Sequence, residues 1–209
     1  MNIIIFGASG ATGHQLVKQA LAQGHMITAF VRNAVRLKIR HHHLNIIEGD
    51  VIDYHLVELA IRDKDAVLSA LGASSPFRYD PSIVTGVSNI LRAMAKNSVK
   101  RFVYLSFAGV QESRHQAGLM IKYLTPRILQ TEIAGHEERE NMIRQSGLQW
   151  TIVRPPTLTN GKRRTNFRSG ENIKTKGFIT TISRADVAEF MLSQLKVNTF
   201  LRKAPLVMY

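Results

Sequence analysis

Short apolar runs rich in Ile, Val and Leu alternate along the chain with stretches in which apolar residues recur every three or four positions. The runs predict strands at Asn2–Phe6, Met26–Val31, Leu44–Ile47, Ala66–Ser69, Arg101–Leu105 and Trp150–Val153, with a last one near Pro205–Met208. The helical spacing between them predicts helices over Thr12–Gln23, Tyr54–Arg62, Pro81–Lys96, Ile128–Ser146 and Arg184–Leu195. Runs such as IIIF and RFVYL read as strands buried on both faces, and strand–helix alternation with right-handed crossovers yields a parallel sheet covered on both sides. The expected fold class is therefore α/β, a Rossmann-like doubly wound parallel sheet flanked by helices. The more irregular stretches, Ser74–Pro81 and Thr159–Gly177, follow strands, and loops beyond the carboxyl ends of strands are where this architecture places its site.

Composition narrows the picture. With 209 residues, 44% of them hydrophobic, and no linker or repeat, the whole chain 1–209 is expected to form one domain. No cysteine is present, which excludes disulfides, thiolate metal sites and thiol nucleophiles, so any redox chemistry must come from a bound cofactor. The apolar run Ile3–Phe6 is far shorter than a signal-peptide core, and nowhere do about 18 apolar residues follow one another, so membrane insertion is not expected and a cytoplasmic location is.

Charge is less ordinary. Lys and Arg total 28 against 15 Asp and Glu, a formal net charge of +13. Such a balance suits nucleic acid, a membrane surface or anionic small molecules. The basic residues are spread along the chain with one concentration at Gly161–Arg168, and no helix-turn-helix or aromatic-interleaved ladder accompanies them. Nucleic-acid binding is not expected as the main role.

The segment GASGATG, Gly7–Gly13, lies after the first strand and opens the first helix, the context in which a glycine pattern carries meaning. Gly7 allows a tight turn, Gly10 lets the backbone approach a diphosphate, and Gly13 lets the helix pack against the sheet. The helix N-terminus supplies an anion site, with Ser9 and Thr12 as further donors. At the end of the second strand, where an acid would bind an NAD ribose, the chain reads FVRNAVRL, with Arg32 and then Arg36. Guanidinium groups there suit a 2′-phosphate and predict NADP(H) over NAD(H); the plain alternative is a pair of solvated arginines. Asp50 and Val51 after the third strand fit an adenine, and Leu71, Gly72 and Ala73 after the fourth let the backbone lie against a cofactor.

In order and spacing, GASGATG, VRNAVRL, GDVID, RFVYLSFAGV, SGLQWTIVRPP and TISRADVAEFML resemble the atypical short-chain dehydrogenase/reductases with an NAD(P)H-binding, NmrA-like domain. Among these the chain is most similar to the branch of the flavin and biliverdin IXβ reductases. The resemblance implies a cofactor site built from Gly7, Ser9, Gly10, Ala11, Thr12, Gly13, Arg32, Arg36, Asp50, Val51, Leu71, Gly72, Ala73 and Ser106, with Pro155 and Pro156 near the nicotinamide. It further implies hydride transfer to flavins, linear tetrapyrroles or other conjugated acceptors, with the acceptor site formed by C-terminal loops.

Two departures bear on mechanism. No Tyr-x-x-x-Lys pair lies downstream of Ser106: Tyr123 is followed four places later by Arg127, with Pro126 between them. Alcohol–carbonyl chemistry through a phenol of lowered pKa is not expected, whereas a conjugated acceptor spreads the incoming charge and takes its proton from solvent. Ser106 is the one catalytic candidate, either orienting the nicotinamide amide or donating to the acceptor; a strand-end serine bonded to backbone is the bland reading. The chain also has Thr157 after its paired prolines, where the flavin reductase has a histidine, which puts tetrapyrrole specificity in question.

His41–His43 are expected to point in divergent directions and no metal site is assigned; His115 and His136 are given no role. The segment 161–177 reads as hairpin-like and as a rim of the acceptor site, its Lys162, Arg163, Arg164, Arg168, Lys174 and Lys176 suited to an anionic acceptor such as FMN, FAD, a tetrapyrrole or a quinone-like compound. The alternative to a reductase is a non-catalytic NADP(H)-sensing regulator that acts through a protein partner.

Overall fold

Six strands form one parallel sheet: β1 (Asn2–Phe6), β2 (Met26–Val31), β3 (Leu44–Glu48), β4 (Ala66–Ser69), β5 (Arg101–Leu105) and β6 (Gln149–Val153), in the order β3-β2-β1-β4-β5-β6. In this computed structural model the described residues are 1–72, 80–116, 130–174 and 178–209. The order reverses beside β1, so the strands diverge from a switch point between β1 and β4, where a doubly wound sheet opens its crevice.

The side-chain period of two explains why β1 is apolar from Ile3 to Phe6. Ile3 and Ile5 face the core formed with α1 (Ala11–Ala22) and α5 (Arg184–Ser193), through Leu16, Val17, Val187 and Met191. Ile4 and Phe6 face the other core, formed with α2 (Tyr54–Ile61), α3 (Pro81–Lys96) and α4 (Gln130–Gln145), through Val57, Val87, Ile90 and Ile143. Ile3, Ile4, Ile5 and Phe6 are all fully buried, and each contributes about 1.5–3 kcal/mol of transfer free energy. The predicted α/β doubly wound sheet is thus the observed fold.

Helix starts divide into two kinds. Asp53, Asp80 and Ser183 cap α2, α3 and α5 by accepting hydrogen bonds from the backbone amides of Leu56, Ser82 and Asp186. Helix α1 begins at Gly10 with no side-chain cap and no acid in its first turn. Its first amides and the positive end of its dipole are left to an external anion.

The C-terminal part departs from the sequence reading. A short parallel pair, β7 (Thr157–Thr159) with β9 (Thr181–Ser183), is absent from the predicted strands. The last strand, β10 (Leu206–Met208), runs antiparallel to β8 (Arg168–Gly170). Segment 161–174 is therefore not a hairpin: β10 lies between the end of β6, where the Val207 amide donates to the Arg154 carbonyl at 3.3 Å, and β8, which takes the remaining backbone groups of its buried residues. Lys176 lies outside the described residues, as do Ala73, Tyr123, Pro126, Arg127 and the first two positions of the predicted fourth helix, Ile128 and Leu129.

Candidate functional site

The carboxyl ends of β1, β2 and β4 enclose an open cleft of about 240 Å³. Gly7, Ser9, Gly10, Arg32, Arg36, Asp50, Val51, Leu71 and Gly72 line it, so the structure brings these predicted residues to one surface. Gly7 has φ +73°, and a Cβ there would stand 2.6 Å from the Ala70 carbonyl oxygen, so only glycine lets the turn pass this close to the end of β4. A Cβ on Gly13 would meet the Gly7 carbonyl oxygen at 2.0 Å, which fixes how closely α1 seats on the turn. Ala11 is exposed at the helix start, while Thr12 and Gly13 are buried behind it and do not line the cleft.

Arg32 and Arg36 stand exposed at the cleft's edge, and among the described residues neither has an ion-pair partner. The turn between them is braced independently: the Ala34 amide donates to Glu48 at 2.9 Å and the Val35 amide to the Asn33 side chain at 2.9 Å. Asp50 accepts from the Ile52 amide at 3.1 Å, and Asn89, on α3, donates to the Val51 and Ile52 carbonyl oxygens at 3.0 Å each. Sequence reasoning missed Asn89 and the cleft-lining Asp80; a polar residue in the apolar phase of α3 was the available signal for the first.

A second group lies at the ends of β5 and β6. Ser106 follows β5 at once, two positions past Tyr104, which is registered with Ser69 at the end of β4. Ser106 donates its hydroxyl hydrogen to Glu140 at 2.6 Å and lies 3.4 Å from His136 Nδ1. Glu140 is fully buried and held by Arg154, itself 1% exposed, whose Nε donates to Glu140 Oε1 at 3.0 Å and whose Nη1 donates to Glu112 at 2.8 Å. Burial opposes the charge on Arg154, but its bonds to Glu140 and Glu112 outweigh that and raise its pKa. Pro155 and Pro156 follow at once, buried, with the Pro155 carbonyl accepting from the Ala108 amide at 2.9 Å. Ser106, Pro155 and Pro156 sit beyond the cleft-lining set.

His136 and Glu140 are one turn apart on α4, and both meet Ser106. Burial, with the nearby Arg139, pushes the His136 pKa down to about 3, so the imidazole is neutral near pH 7. Its Nε2 lies 3.4 Å from Glu132, whose pKa burial raises against the pull of Arg139. Tyr104, two residues before Ser106, is fully buried and pushed up to about 12 by that burial, so it is no substitute for an acidic phenol. A histidine neutral in the fold and protonated in the unfolded chain makes stability rise with pH from about 3 to its ordinary 6.5. Urea unfolding at pH 5 and pH 7 is expected to show an acid loss of at most about 1.4 kcal/mol per pH unit from this group, diminished in His136→Asn. Glu132 acts with the opposite sign above its ordinary value, so only the difference between variant and parent isolates the histidine.

The basic segment is anchored by Asp186, which is fully buried and accepts from the Arg164 and Thr165 amides at 2.9 and 2.8 Å and from Ser183. Arg163 pairs with Glu189 at 2.8 Å, Arg164 lies over the Tyr209 ring and Arg168 donates to the Tyr209 carbonyl, so three of the predicted steering cations are engaged in packing. The divergence expected of His41–His43 is not found: in the turn before β3 their rings converge, with centroids 4.1 to 5.5 Å apart, away from the cleft-lining residues.

A glycine turn that tolerates no Cβ, an uncapped helix N-terminus and two unpaired arginines fit a dinucleotide phosphate. The family described as NAD(P)H-binding matches residues 7–198, and the chain belongs to it, with NAD(P)H as its cofactor. Its relatives include the photosystem II assembly factor Ycf39 of Guillardia theta, 25% identical over 211 residues, an alignment that covers 99% of this chain but only 65% of that protein's length. Among solved structures it is similar to a short-chain dehydrogenase/reductase of Veillonella parvula in complex with NADP (TM-score 0.80, 21% identity, 99% of this chain and 93% of that one). It is similar also to ChuY, an anaerobillin reductase of Escherichia coli O157:H7 (TM-score 0.79, 19% identity, 99% and 96%). At these identities the solved structures establish the Rossmann fold shared with NAD(P)-binding oxidoreductases. Among the described residues no helix is long and apolar enough to cross a membrane.

Proposed function

We propose that the protein is an NADPH-dependent oxidoreductase that transfers hydride to a flavin or another conjugated acceptor of the quinone or tetrapyrrole kind. The observation that carries this reading is the single cleft in which the glycine turn, Arg32 and Arg36, Asp50 and Val51, and Leu71 and Gly72 meet. Arg32 and Arg36 hold the 2′-phosphate, the uncapped start of α1 with Ser9 the diphosphate, and Asp50 and Val51 the adenine. Leu71 and Gly72 lead the site toward Ser106, Pro155 and Pro156 at the nicotinamide. The bound cofactor supplies the hydride.

The acceptor class follows from the polar groups around Ser106. Its hydroxyl hydrogen is committed to Glu140, His136 is neutral, and Tyr104 is a buried, very weak acid. Among the described residues these groups offer no strong proton donor, which favours an acceptor whose conjugated ring spreads the charge, protonated from solvent. The similarity to ChuY supports a tetrapyrrole among the acceptors. The C-terminal loops form the acceptor side of the domain, where Lys162 and Lys174, without ion-pair partners among the described residues, favour an anionic molecule.

The similarity to Ycf39, an assembly factor, favours a second reading, a partner-binding protein for which NADP(H) is a signal. Anaerobic NADPH oxidation against FMN, FAD, riboflavin, biliverdin and a small quinone separates the two. The reductase reading expects oxidation that requires an acceptor; tight NADPH binding with no turnover on any of them would transfer the conclusion to the sensor.

A further inference from the structure

Ser106 has one hydroxyl hydrogen and two acceptor lone pairs. The Glu140 carboxylate, held through Oε1 and Oε2 by the Arg154 guanidinium, only accepts hydrogen bonds. At 2.6 Å from Glu140, the Ser106 hydroxyl must therefore be the donor, and its hydrogen is used. The second contact of the same oxygen, 3.4 Å to His136 Nδ1, then works only if Nδ1 carries the hydrogen. That tautomer leaves Nε2 as the acceptor, 3.4 Å from the Glu132 oxygen that also accepts from Arg139, a contact that is a hydrogen bond when the carboxyl carries its proton. One lone pair of Ser106 remains, on a residue that keeps 6% of its surface open at the end of β5.

We propose that His136 and Glu140, one helical turn apart on α4, are positioning residues that fix Ser106 as a hydrogen-bond acceptor, so that it receives an N–H of the nicotinamide carboxamide and gives none to the substrate. They stand in contact with the serine at the i, i+4 spacing that a Tyr and Lys pair would occupy, with the opposite outcome: no acid is created, and the serine's polarity is set. Among the described residues the charged and titratable groups around this cluster are Glu132, Arg139 and Arg144 from α4, Tyr104 from β5, Arg154 at the end of β6 with its partner Glu112, and Asp80 at the start of α3. The inference rests on the reading that the nicotinamide end of the cofactor lies at Ser106.

The test compares binding of NADP⁺ with that of its acetylpyridine analogue, in which a methyl ketone replaces the carboxamide and removes the N–H donor. The parent protein should bind NADP⁺ about fivefold to tenfold more tightly, the range for one hydrogen bond, and Ser106→Ala should discriminate by less than about twofold. Glu140→Leu combined with Arg154→Met, which removes the acceptor of the serine hydrogen, should also lower the discrimination. A second readout needs no variant: ¹⁵N NMR of histidine should show His136 neutral at pH 7 with the hydrogen on Nδ1. Equal discrimination by parent and Ser106→Ala, or a hydrogen on Nε2 of His136, overturns the proposal. Discrimination without turnover of any acceptor leaves the proposal standing and removes the reductase reading; turnover without discrimination does the reverse.

Discussion

Replacing Arg154 by Ala is expected to destabilise the protein by about 3–5 kcal/mol, measured as the shift in urea unfolding at constant m-value. The variant leaves Glu140, which is fully buried, with Ser106 as its hydrogen-bond partner among the described residues and with the partly exposed Arg144 guanidinium as a longer ion pair at 3.8 Å. A buried carboxylate stripped of its two-point guanidinium partner is what makes the loss large, not the worth of the pair itself. The double variant Glu140→Leu, Arg154→Met, which removes both charges while keeping volume, should therefore recover most of the stability. It should not recover the cofactor discrimination set by Ser106, because the acceptor of the serine hydrogen is gone. A double variant as unstable as Arg154→Ala would mean that the guanidinium's packing and its bond to Glu112 dominate instead.

Substituting Arg32 and Arg36 together by Ala should weaken NADPH binding on the order of a hundredfold while leaving NADH binding within about threefold, with each guanidinium–phosphate contact contributing about 1.4 kcal/mol. Both side chains line the cleft, both are exposed, and neither is diverted to an acid among the described residues. The turn that carries them is braced by Glu48 and Asn33, so the substitution removes charge without collapsing the loop. Equal losses for the two cofactors would show that the arginines are ordinary surface residues and that the 2′-phosphate is not read here.

Much of this was legible in the sequence because it rests on strong local signals. Strand β1 is apolar at every buried position and is followed at once by a turn that only glycine allows, so both its limits and its role could be read. Met26–Val31, Ala66–Ser69 and Arg101–Leu105 stand where the apolar runs put them. What escaped lies where polar residues are buried. Helix α4 hides Glu132, Arg139 and Glu140 on its inner face, so its pattern resembles a solvated helix, and its charges carry no mark of which side they face. Arg154 was equally hidden, since an arginine closing an apolar run reads as the run's exposed end. The spacing of Glu132, His136 and Glu140, in phase with Ile133 and Ile143, was the signal that pointed inward. The pair β7 and β9 is three residues long on each side and made largely of Thr and Ser, too short for periodicity to show.

The central claim is that the cofactor in this cleft gives up hydride to an acceptor held beside it. Its most direct test is anaerobic stopped-flow oxidation of NADPH carrying deuterium at the transferable position, with FMN, a quinone and biliverdin as acceptors and the reduced product analysed by mass spectrometry. The account predicts that the bound cofactor is oxidised only when acceptor is present, more slowly when deuterated. Deuterium should appear in any reduced product whose new hydrogen does not exchange with water. A cofactor that binds tightly, stays reduced with every acceptor and passes no deuterium on would contradict it.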